Sequence, residues 1–340
     1  MVNQDFFTPK CKLCGSAHVV KYGHKNNIQR WWCKDCKHKF VDNQALFGMK
    51  TPIEQVASAI SMYYEGMSLN AIRRQFAQMH NYLPSDSTIY EWIDKFRQKA
   101  ITEANKYTPK VGDNFIADET VLKIGGTKYW LIDIMDADSR YFIYSHISKN
   151  RSARDIKYAF EQAYEHTKKY PKKVITDGWK AYPDGIEQAY GANTKHELGS
   201  PFVTTDKNTN LVERLQGTVK DRTKVLRGLK TKETADEYLK GWLVHYNYFR
   251  NHESLNDRTP AQVAGVKFPY QNWLDVVKAQ QVRLIIPKAQ MPKPLLTPRA
   301  HRIIPRKPIT PHRKPAKGGL YVSKQGAMSR HYFRGARRVR

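Results

Sequence analysis

The segment "NFIADETVLKIGGTKYWLIDIMDADSRYFIYSHIS", residues 114–148, decides the fold class of this chain. Apolar and polar residues alternate along residues 114–124, as in a half-buried strand, and the glycine pair in "IGGTK" supplies a tight turn. "YWLIDIMDA" and "RYFIYSHIS" are typical of two further strands, which "DADSR" joins. The segment therefore predicts three strands in hairpin connection.

Helices and short strands follow this segment. Residues 152–169 predict a helix that Ser152 can cap, because four apolar residues share one face: Ile156, Ala159, Phe160 and Ala163. "KKVITD" predicts a short buried strand ending at Asp177, "GWKAYPDGIEQAYG" a short helix or turn, and "TKHEL" another strand. This order predicts an α/β fold, a mixed sheet flanked by helices.

Four regions of the chain differ in pattern. Residues 1–48 hold all four cysteines, residues 51–105 have a helical pattern, and residues 112–265 alternate strand and helix signals. Residues 266–340 form a Pro-rich, basic region, with fifteen Lys or Arg and no acid in 286–340. We expect an extended, solvated tail there, with a DNA-tracking arm or an oligomer contact as alternatives.

The charge and hydropathy of the chain limit its partners. The net charge is +27 and the pI is about 9.8, which predicts a polyanionic partner, usually nucleic acid, although charge alone also fits RNA or a membrane surface. The N-terminal segment lacks the apolar stretch of a signal peptide, and no apolar run is long enough to cross a bilayer. We therefore expect an intracellular protein without a disulfide framework.

The cysteines have the spacing of a zinc ribbon. Two Cys-x2-Cys pairs are separated by eighteen residues, and they comprise Cys11, Cys14, Cys33 and Cys36. Two such knuckles can present four thiolates at the corners of a tetrahedron, which suits structural Zn²⁺. Four thiolates fill the site, so His24 and His38 are predicted to be bystanders. Trp31 and Trp32 could either pack the ribbon or contact DNA, and the sequence favours neither.

Residues 51–105 predict three helices, the first ending near Gly66. "GMSLNAIRRQF" has the turn-plus-helix form of a helix-turn-helix, and "SDSTIYEWIDKFRQKA" begins with a capping residue and is a candidate for the major groove. The alternative is a three-helix bundle that binds no DNA. Next to a zinc ribbon, and in a strongly basic chain, the pattern favours DNA binding.

Three carboxylates are candidates for a metal site: Asp118, Asp177 and Glu213. The first two lie on strands that become neighbours in a single sheet, and a helix beginning near residue 210 can bring Glu213 to both. Converging carboxylates bind Mg²⁺ or Mn²⁺, and two such ions activate an oxygen nucleophile and stabilise the leaving oxygen in phosphoryl transfer. Lys220, seven residues after Glu213, lies on the same helix face and can reach a phosphate.

Other interpretations of these acids remain open. Asn210 and Glu213 also fit a capping box, which would explain the glutamate without catalysis. Glu119 or Asp133 could replace Asp118, but neighbouring strand residues point to opposite faces, so only one of Asp118 and Glu119 is expected at the site. Asp133, Asp136 and Asp138 are predicted to be strand-end or turn acids. Trp179 and Tyr182 are expected to pack under the site, with contact to a base as the alternative.

The chain resembles the DDE-type transposases of prokaryotic insertion sequences, which have an RNase H-like core related to retroviral integrases. The resemblance lies in "ADET" around Asp118, "TDGWKAYP" from Thr176, and "NTNLVERLQGTVKDRTKVLRG" (208–228) with Glu213 and Lys220. "HYNYFRNHESLNDRTPAQ" (245–262) is similar to the segment after the core. The resemblance implies that Asp118, Asp177 and Glu213 are metal ligands. It also implies basic residues along the DNA path: Arg214, Arg222, Lys224 and Arg227.

The resemblance implies a transposase that binds the terminal inverted repeats of its insertion sequence. Such an enzyme frees 3′-hydroxyl ends and joins them to target DNA with two Mg²⁺ or Mn²⁺ ions. It is expected to act as a homodimer or higher assembly, in the cytoplasm of a prokaryote and associated with the nucleoid. Two alternatives are a DNA-binding regulator with an inactive core and an RNase H-like nuclease.

Overall fold

The computed structural model describes residues 9–25, 28–199, 214, 216, 217, 219, 220 and 229–283. The predicted tail at 286–340 lies outside these residues. Among the described helices, none combines the length and the apolar character that a membrane crossing requires.

The N-terminal module is a three-stranded antiparallel sheet in the order β1-β2-β3. Its strands are β1 (Val19–Lys25), β2 (Ile28–Cys33) and β3 (Lys39–Val41). Among the described residues of this module, Val19 and Phe40 are the buried apolar side chains that accompany the cysteines in its core. A module with so small a core needs another source of stability, which a structural metal can provide.

Three helices follow: α1 (Ile53–Tyr64), α2 (Leu69–His80) and α3 (Asp86–Ala104). The prediction of three helices, the first ending near Gly66, is confirmed. Ser68 and Ser85 cap α2 and α3, because each side chain accepts a hydrogen bond from the backbone N–H three residues later.

The central sheet has five strands in the order β6-β5-β4-β7-β8. They are β4 (Asn114–Ile124), β5 (Thr127–Asp136), β6 (Phe142–Ser148), β7 (Lys173–Thr176) and β8 (Lys195–Leu198). β4, β5 and β6 are antiparallel neighbours, whereas β7 and β8 run parallel to β4. α4 (Ala153–Thr167) and α5 (Ala181–Tyr190) connect the last three strands. The predicted mixed α/β sheet with flanking helices is confirmed.

Local sequence signals explain these connections. Gly125 and Gly126 both have positive φ angles, +57° and +81°, so the two-residue turn between β4 and β5 requires residues without a Cβ. Ser152 and Asp155 form a reciprocal capping box at the start of α4. The four apolar residues predicted to share one face of α4 are all buried. This cap fixes the backbone immediately after Arg151.

The C-terminal part of the described chain covers one edge of the sheet. α6 (Lys232–Val244) continues into a wider π-helical turn (His245–Phe249), followed by the short helix α7 (Pro260–Val263) and by α8 (Trp273–Arg283). The turn directs Asn247 at the edge strand β6, where its Oδ1 accepts the Phe142 N–H and its Nδ2 donates to the Phe142 carbonyl, both at 2.9 Å. Asn247 thus satisfies backbone groups that a further strand would otherwise satisfy.

Replacing Asn247 with Ala is expected to lower the free energy of unfolding by about 2–4 kcal/mol, because two buried backbone groups of Phe142 lose their partners. Urea unfolding measures the change. The exposed Asn251 provides a matched control, and Asn251→Ala is expected to leave stability nearly unchanged. Equal effects of the two substitutions would contradict this role of Asn247.

The three N-terminal helices and the sheet domain share one hydrophobic core. The Tyr64 ring of α1 stacks on Trp273 of α8 with ring centroids 5.2 Å apart. A Cβ added at Gly241 of α6 would collide with Tyr64 and Arg97, so α6 approaches α1 and α3 more closely than a larger residue allows. Arg97, nearly buried on α3, forms ion pairs with Asp94 and, at 2.8 Å, with Glu237 of α6. The helices and the sheet are therefore packed as one body.

The packed structure extends beyond residue 265, where the basic region was expected to begin. Trp273, Val276 and Val277 of α8 are buried in the common core. The expectation of a tail from residue 266 onward is corrected accordingly. Amino-acid composition placed the start of the tail too early in the sequence. The prolines and lysines of this region obscure the pattern of the buried residues Trp273, Val276 and Val277.

Candidate active site

Asp118 and Asp177 lie side by side at the carboxyl end of a parallel strand pair. Ile116 of β4 pairs with Ile175 of β7, and the two aspartates follow at the same offset of two residues. β7 ends at Thr176, so Asp177 stands at the open end of the pair. The Asp177 Oδ1 accepts the Trp179 N–H at 3.1 Å, which orients the carboxylate. The predicted convergence of these two strands thus places two carboxylates together.

Glu119 also reaches this site, which differs from the expectation that only one of Asp118 and Glu119 would do so. One carboxylate oxygen from each of Asp118, Glu119 and Asp177 lies within 4.8 Å of the others. The Asp118 side chain bends along its own strand toward the next residue, and its Oδ1 accepts the Glu119 N–H at 2.8 Å. The β7 pairing ends at Ile116, so no strand is paired with the β7 side of β4 at Asp118 and Glu119.

Glu119 differs from Asp118 in its electrostatic partner. Its side chain is only 2% exposed and forms an ion pair with the Arg151 guanidinium. The charge of Glu119 is therefore already balanced within the protein. This favours Asp118 over Glu119 as the ligand of a divalent cation.

Asp133 lies under the site, not at a strand end. It is fully buried in the middle of β5, directly across from Asp118, and its Oδ1 accepts a 2.6 Å hydrogen bond from the Ser145 Oγ. The pKa of Asp133 is raised to about 7, mainly by burial and further by the Asp118 carboxylate. The Ser145 hydroxyl and the Lys220 ammonium act in the opposite direction and lower this pKa. The expectation of a strand-end acid is corrected for Asp133, because the strand continues to Asp136.

Replacing Asp133 with Asn is expected to remove a pH dependence of stability in protein without added Mg²⁺ or Mn²⁺. The folded-state pKa is about 7, so the native protein keeps this proton while the unfolded chain releases it near pH 4, and stability falls as pH rises toward 7. Between about pH 5 and about pH 8, the free energy of unfolding of the unaltered chain should fall by about 2–3 kcal/mol relative to that of Asp133→Asn. Urea unfolding at several pH values measures this difference, and parallel curves would contradict it.

Asp136 has a structural role at the end of β5. Its Oδ1 accepts the Gly112 N–H at 2.9 Å, and its Oδ2 accepts the Ser139 N–H at 3.0 Å and the Ser139 hydroxyl. These contacts hold the turn before β6. Asp136 matches the expectation of a strand-end acid, and Asp138 follows in the turn itself.

The helix that carries the predicted third carboxylate is described only in part. Gln216 and Val219 are buried, whereas Arg214 and Lys220 are exposed. Lys220 lies close enough to Asp133 to lower its pKa, so it reaches the neighbourhood of Asp118. Several predicted residues lie outside the described residues: Asn210, Glu213, Arg222, Lys224 and Arg227.

The two aromatic residues after Asp177 differ in exposure. Tyr182 is fully buried, as expected for packing under the site, and burial raises the pKa of its hydroxyl, with smaller effects of Asp118 and Asp177. Trp179 is 36% exposed, so packing alone does not account for it.

A stack of three side chains that no local sequence pattern predicts lies beside the carboxylates. The Arg151 guanidinium lies 3.6 Å from the Trp179 ring centroid and 4.5 Å from that of Trp130. The Trp179 Nε1–H also donates to the Arg151 carbonyl at 3.2 Å. We call Trp130, Arg151 and Trp179 the Trp–Arg–Trp stack. The position of Trp179 two residues after Asp177 was the available signal, but its partners come from distant parts of the chain.

The four cysteines converge in the N-terminal module. Their Sγ atoms all lie within 4.8 Å of one another, with Cys11–Cys36 and Cys14–Cys33 at 3.5 Å. Such separations suit four thiolates around Zn²⁺ with Zn–S bonds of about 2.3 Å. Burial opposes ionisation of Cys33, but the backbone N–H groups of Cys36 and Asp35 lower its pKa to about 7. The donor set and geometry therefore fit structural zinc.

The two ribbon tryptophans have different surroundings. Trp31 packs against the small cysteine core. Trp32 contacts the Tyr22 ring edge-on at 6.2 Å and has the Lys37 ammonium 5.7 Å from its own ring. Lys39 lies 3.9 Å from the Tyr22 ring centroid. One tryptophan thus serves packing, and the other belongs to a cationic aromatic surface suited to a DNA backbone.

Two segments match known domain families. Residues 112–252 match a DDE domain of the IS240 type, and residues 52–103 match a helix-turn-helix domain. These ranges contain the central sheet and the three helices α1–α3.

The similar proteins include an insertion-element product and viral integrases. An uncharacterized 48.3 kDa protein of insertion element ISM1 from Methanobrevibacter smithii is 25% identical over 169 residues, which are 44% of this chain and 41% of that protein. This chain therefore spans about two fifths of that relative's length. The HTLV-2 integrase catalytic core domain in complex with magnesium is 21% identical, with a TM-score of 0.36, over 46% of this chain and 97% of that one. A simian T-cell lymphotropic virus intasome, in complex with the PP2A regulatory subunit B56 gamma, gives 14% identity and a TM-score of 0.37, over 63% and 76%.

Proposed function

We propose that this chain is a DNA transposase, because residues 112–252 match a DDE domain and a stretch of 169 residues is similar to a protein of an insertion element. It binds the terminal inverted repeats of its insertion sequence, frees 3′-hydroxyl ends, and joins those ends to target DNA. The observation that carries the proposal is the meeting of Asp118 and Asp177 at equal offsets on adjacent parallel strands.

Asp118, Asp177 and Glu213 are the proposed ligands of two Mg²⁺ or Mn²⁺ ions. The first two already bring carboxylate oxygens within 4.8 Å, which fits hard divalent cations that prefer oxygen ligands. When bound, such ions supply an activated oxygen nucleophile and stabilise the leaving oxygen of a phosphodiester. One site can serve both cleavage and joining, because both reactions displace one oxygen of a phosphodiester by another.

Other side chains position the reacting groups. Lys220 lies near Asp133 and Asp118, and its ammonium can hold a phosphate oxygen of the DNA at the same place. Asp133 accepts the Ser145 hydroxyl under Asp118 and keeps the floor of the site polar. Arg214 is exposed one residue after Glu213, so it can contact the DNA backbone with the basic residues that follow: Arg222, Lys224 and Arg227.

The proposed domains have different roles on DNA. Residues 1–48 form a zinc ribbon and residues 51–105 a helix-turn-helix module, and together they hold the terminal repeats. The catalytic domain begins at residue 112, and its packed structure continues beyond the predicted end at 265 into α8. The basic region after α8 adds contacts to the DNA backbone. A homodimer or higher assembly follows from the reaction, since two ends must be joined together.

Labelled DNA spanning the gene's own flanks tests this function, with Mg²⁺ or Mn²⁺ added and with both omitted as a control. Metal-dependent nicks together with joined products are expected. Nicks without joined products would favour an RNase H-like nuclease instead. DNA binding without either product would favour a regulator with an inactive core.

A further inference from the structure

The Trp–Arg–Trp stack lies where an unpaired nucleotide could be held next to the reacting phosphate. Trp179 follows Asp177 by two residues, and its backbone N–H donates to that carboxylate. The indole ring and the Asp177 carboxylate are therefore held by the same short loop after β7. Whatever contacts the exposed part of this ring also lies beside the site of phosphoryl transfer.

The stack is built rigidly from three separate elements. Trp130 belongs to β5, Trp179 follows β7, and Arg151 precedes the capping box of α4. Arg151 lies within 4.5 Å of both ring centroids and also forms an ion pair with the nearly buried Glu119. These contacts fix the plane of the Trp179 ring before any ligand arrives, so little conformational entropy is lost when a second flat group stacks on it.

The surroundings of the stack are apolar and cationic at the same time. Trp179 is 36% exposed, and Leu198, 65% exposed, lies beside the preceding residue, where its Cδ2 would be 3.0 Å from a Cβ added at Gly178. The Lys128 ammonium lies 4.3 Å from the Trp130 ring centroid, and Lys180 is exposed beside Trp179. A base can use the apolar surface, and its phosphate can use the two ammonium groups.

We propose that the Trp–Arg–Trp stack, with Lys128 and Leu198, binds one unpaired nucleotide of the DNA that flanks the bond to be cut. This inference rests on the proposed function and identifies a second feature that its active site recognises. A base in the interior of a duplex has both faces covered by its neighbours and offers only its edges, so it must leave the duplex before it can stack on Trp179. The stack therefore favours DNA whose end has opened at the active site.

Binding to two duplexes of identical length tests this proposal with the full chain and no added Mg²⁺ or Mn²⁺. One duplex is fully paired, and the other is forked by mismatches at its end and carries 2-aminopurine in the unpaired part. Fluorescence anisotropy is expected to show about tenfold tighter binding of the forked duplex, with quenching of 2-aminopurine by the indole ring. Equal affinities for the two duplexes would overturn the proposal.

Two substitutions separate stacking from packing. Trp179→Phe keeps a flat ring and should retain most of the preference for the forked duplex, whereas Trp179→Leu keeps apolar bulk without a ring and should lose it. Tyr170→Leu, at another exposed aromatic residue, is the matched control and should leave the preference intact. A preference that survives in Trp179→Leu would overturn the proposal.

The failure of this proposal can be distinguished from the failure of the proposed function. Fork preference is measured without the divalent metal, whereas cleavage of the same duplexes is measured after Mg²⁺ is added. A chain that prefers the fork through Trp179 but never cleaves would contradict the transposase function alone. A chain that cleaves and joins but shows no fork preference would contradict the nucleotide site alone.

Discussion

Replacing Asp177 with Asn is expected to lower strand cleavage and joining by about 1000-fold or more, while DNA affinity stays near that of the unaltered chain. The amide removes the negative charge that a divalent cation requires. It keeps an oxygen that can still accept the Trp179 N–H, so the loop after β7 should retain its shape. Quantified cleavage and joining of end-labelled DNA, together with anisotropy binding curves, measure the two effects.

The exposed acid Asp184 of α5 provides the control for this substitution. It lies seven residues after Asp177 and outside the carboxylate cluster, so Asp184→Asn should leave cleavage and joining close to normal. Loss of DNA binding in Asp177→Asn with cleavage intact would reject its role as a metal ligand.

Replacing Cys33 with Ser is expected to release one zinc ion per chain and to unfold the N-terminal module. Cys33 is fully buried and its Sγ lies 3.5 Å from that of Cys14, so one lost thiolate opens the ligand set. Structural zinc sites of this kind contribute about 10–16 kcal/mol of apparent binding free energy, which a core this small cannot replace. Zinc content by atomic absorption and the near-ultraviolet circular dichroism of Trp31 and Trp32 measure the two changes.

His24 distinguishes a ligand from a neighbour in this module. It is exposed on β1, and four thiolates already complete a tetrahedron, so His24→Ala should retain zinc and folded structure. We also expect Cys33→Ser to bind the terminal DNA less tightly. Full zinc content in Cys33→Ser would contradict the proposed ligand set.

The sheet could be predicted from the sequence because each strand carries its own signal. Alternation in residues 114–124 and the glycine pair at 125–126 define the first hairpin without reference to the rest of the chain. The short apolar run before Asp177 predicted a buried strand next to the strand of Asp118, and the pairing of Ile116 with Ile175 confirms that the two strands are neighbours. Local periodicity and turn chemistry therefore sufficed for the individual strands, whereas the parallel direction and the strand order come from the structure.

The details of the site depend on pairing between distant residues, and the sequence could not supply them. Asp133 was expected near a strand end, but the antiparallel register places it across from Asp118, where burial raises its pKa. Strand alternation was expected to exclude Glu119 from the site. It did not allow for the Asp118 side chain bending toward the next residue to accept the Glu119 N–H, or for the end of the β7 pairing at Ile116.

Two further features were missed for the same physical reason. The stack around Arg151 brings together residues 130, 151 and 179, and no local pattern joins them. Among the residues of α8 whose burial is described, three apolar side chains are buried in a core that also contains residues of α1 and α6. Features made of contacts from several elements have no periodic signal within any one of them.

The common core of the helix-turn-helix module and the sheet domain determines how far along the DNA the proposed cleavage site lies from the bound repeat. The Tyr64–Trp273 stack and the close approach at Gly241 join the module proposed to bind the terminal repeat to the domain whose carboxylates are proposed to cut beside it. The number of base pairs between the bound repeat and the cleavage position is then set by the protein. One added base pair would rotate the scissile bond by about 35° around the DNA axis, since B-DNA has about 10–10.5 base pairs per turn. Any adjustment to such a change has to come from bending or twisting of the DNA itself.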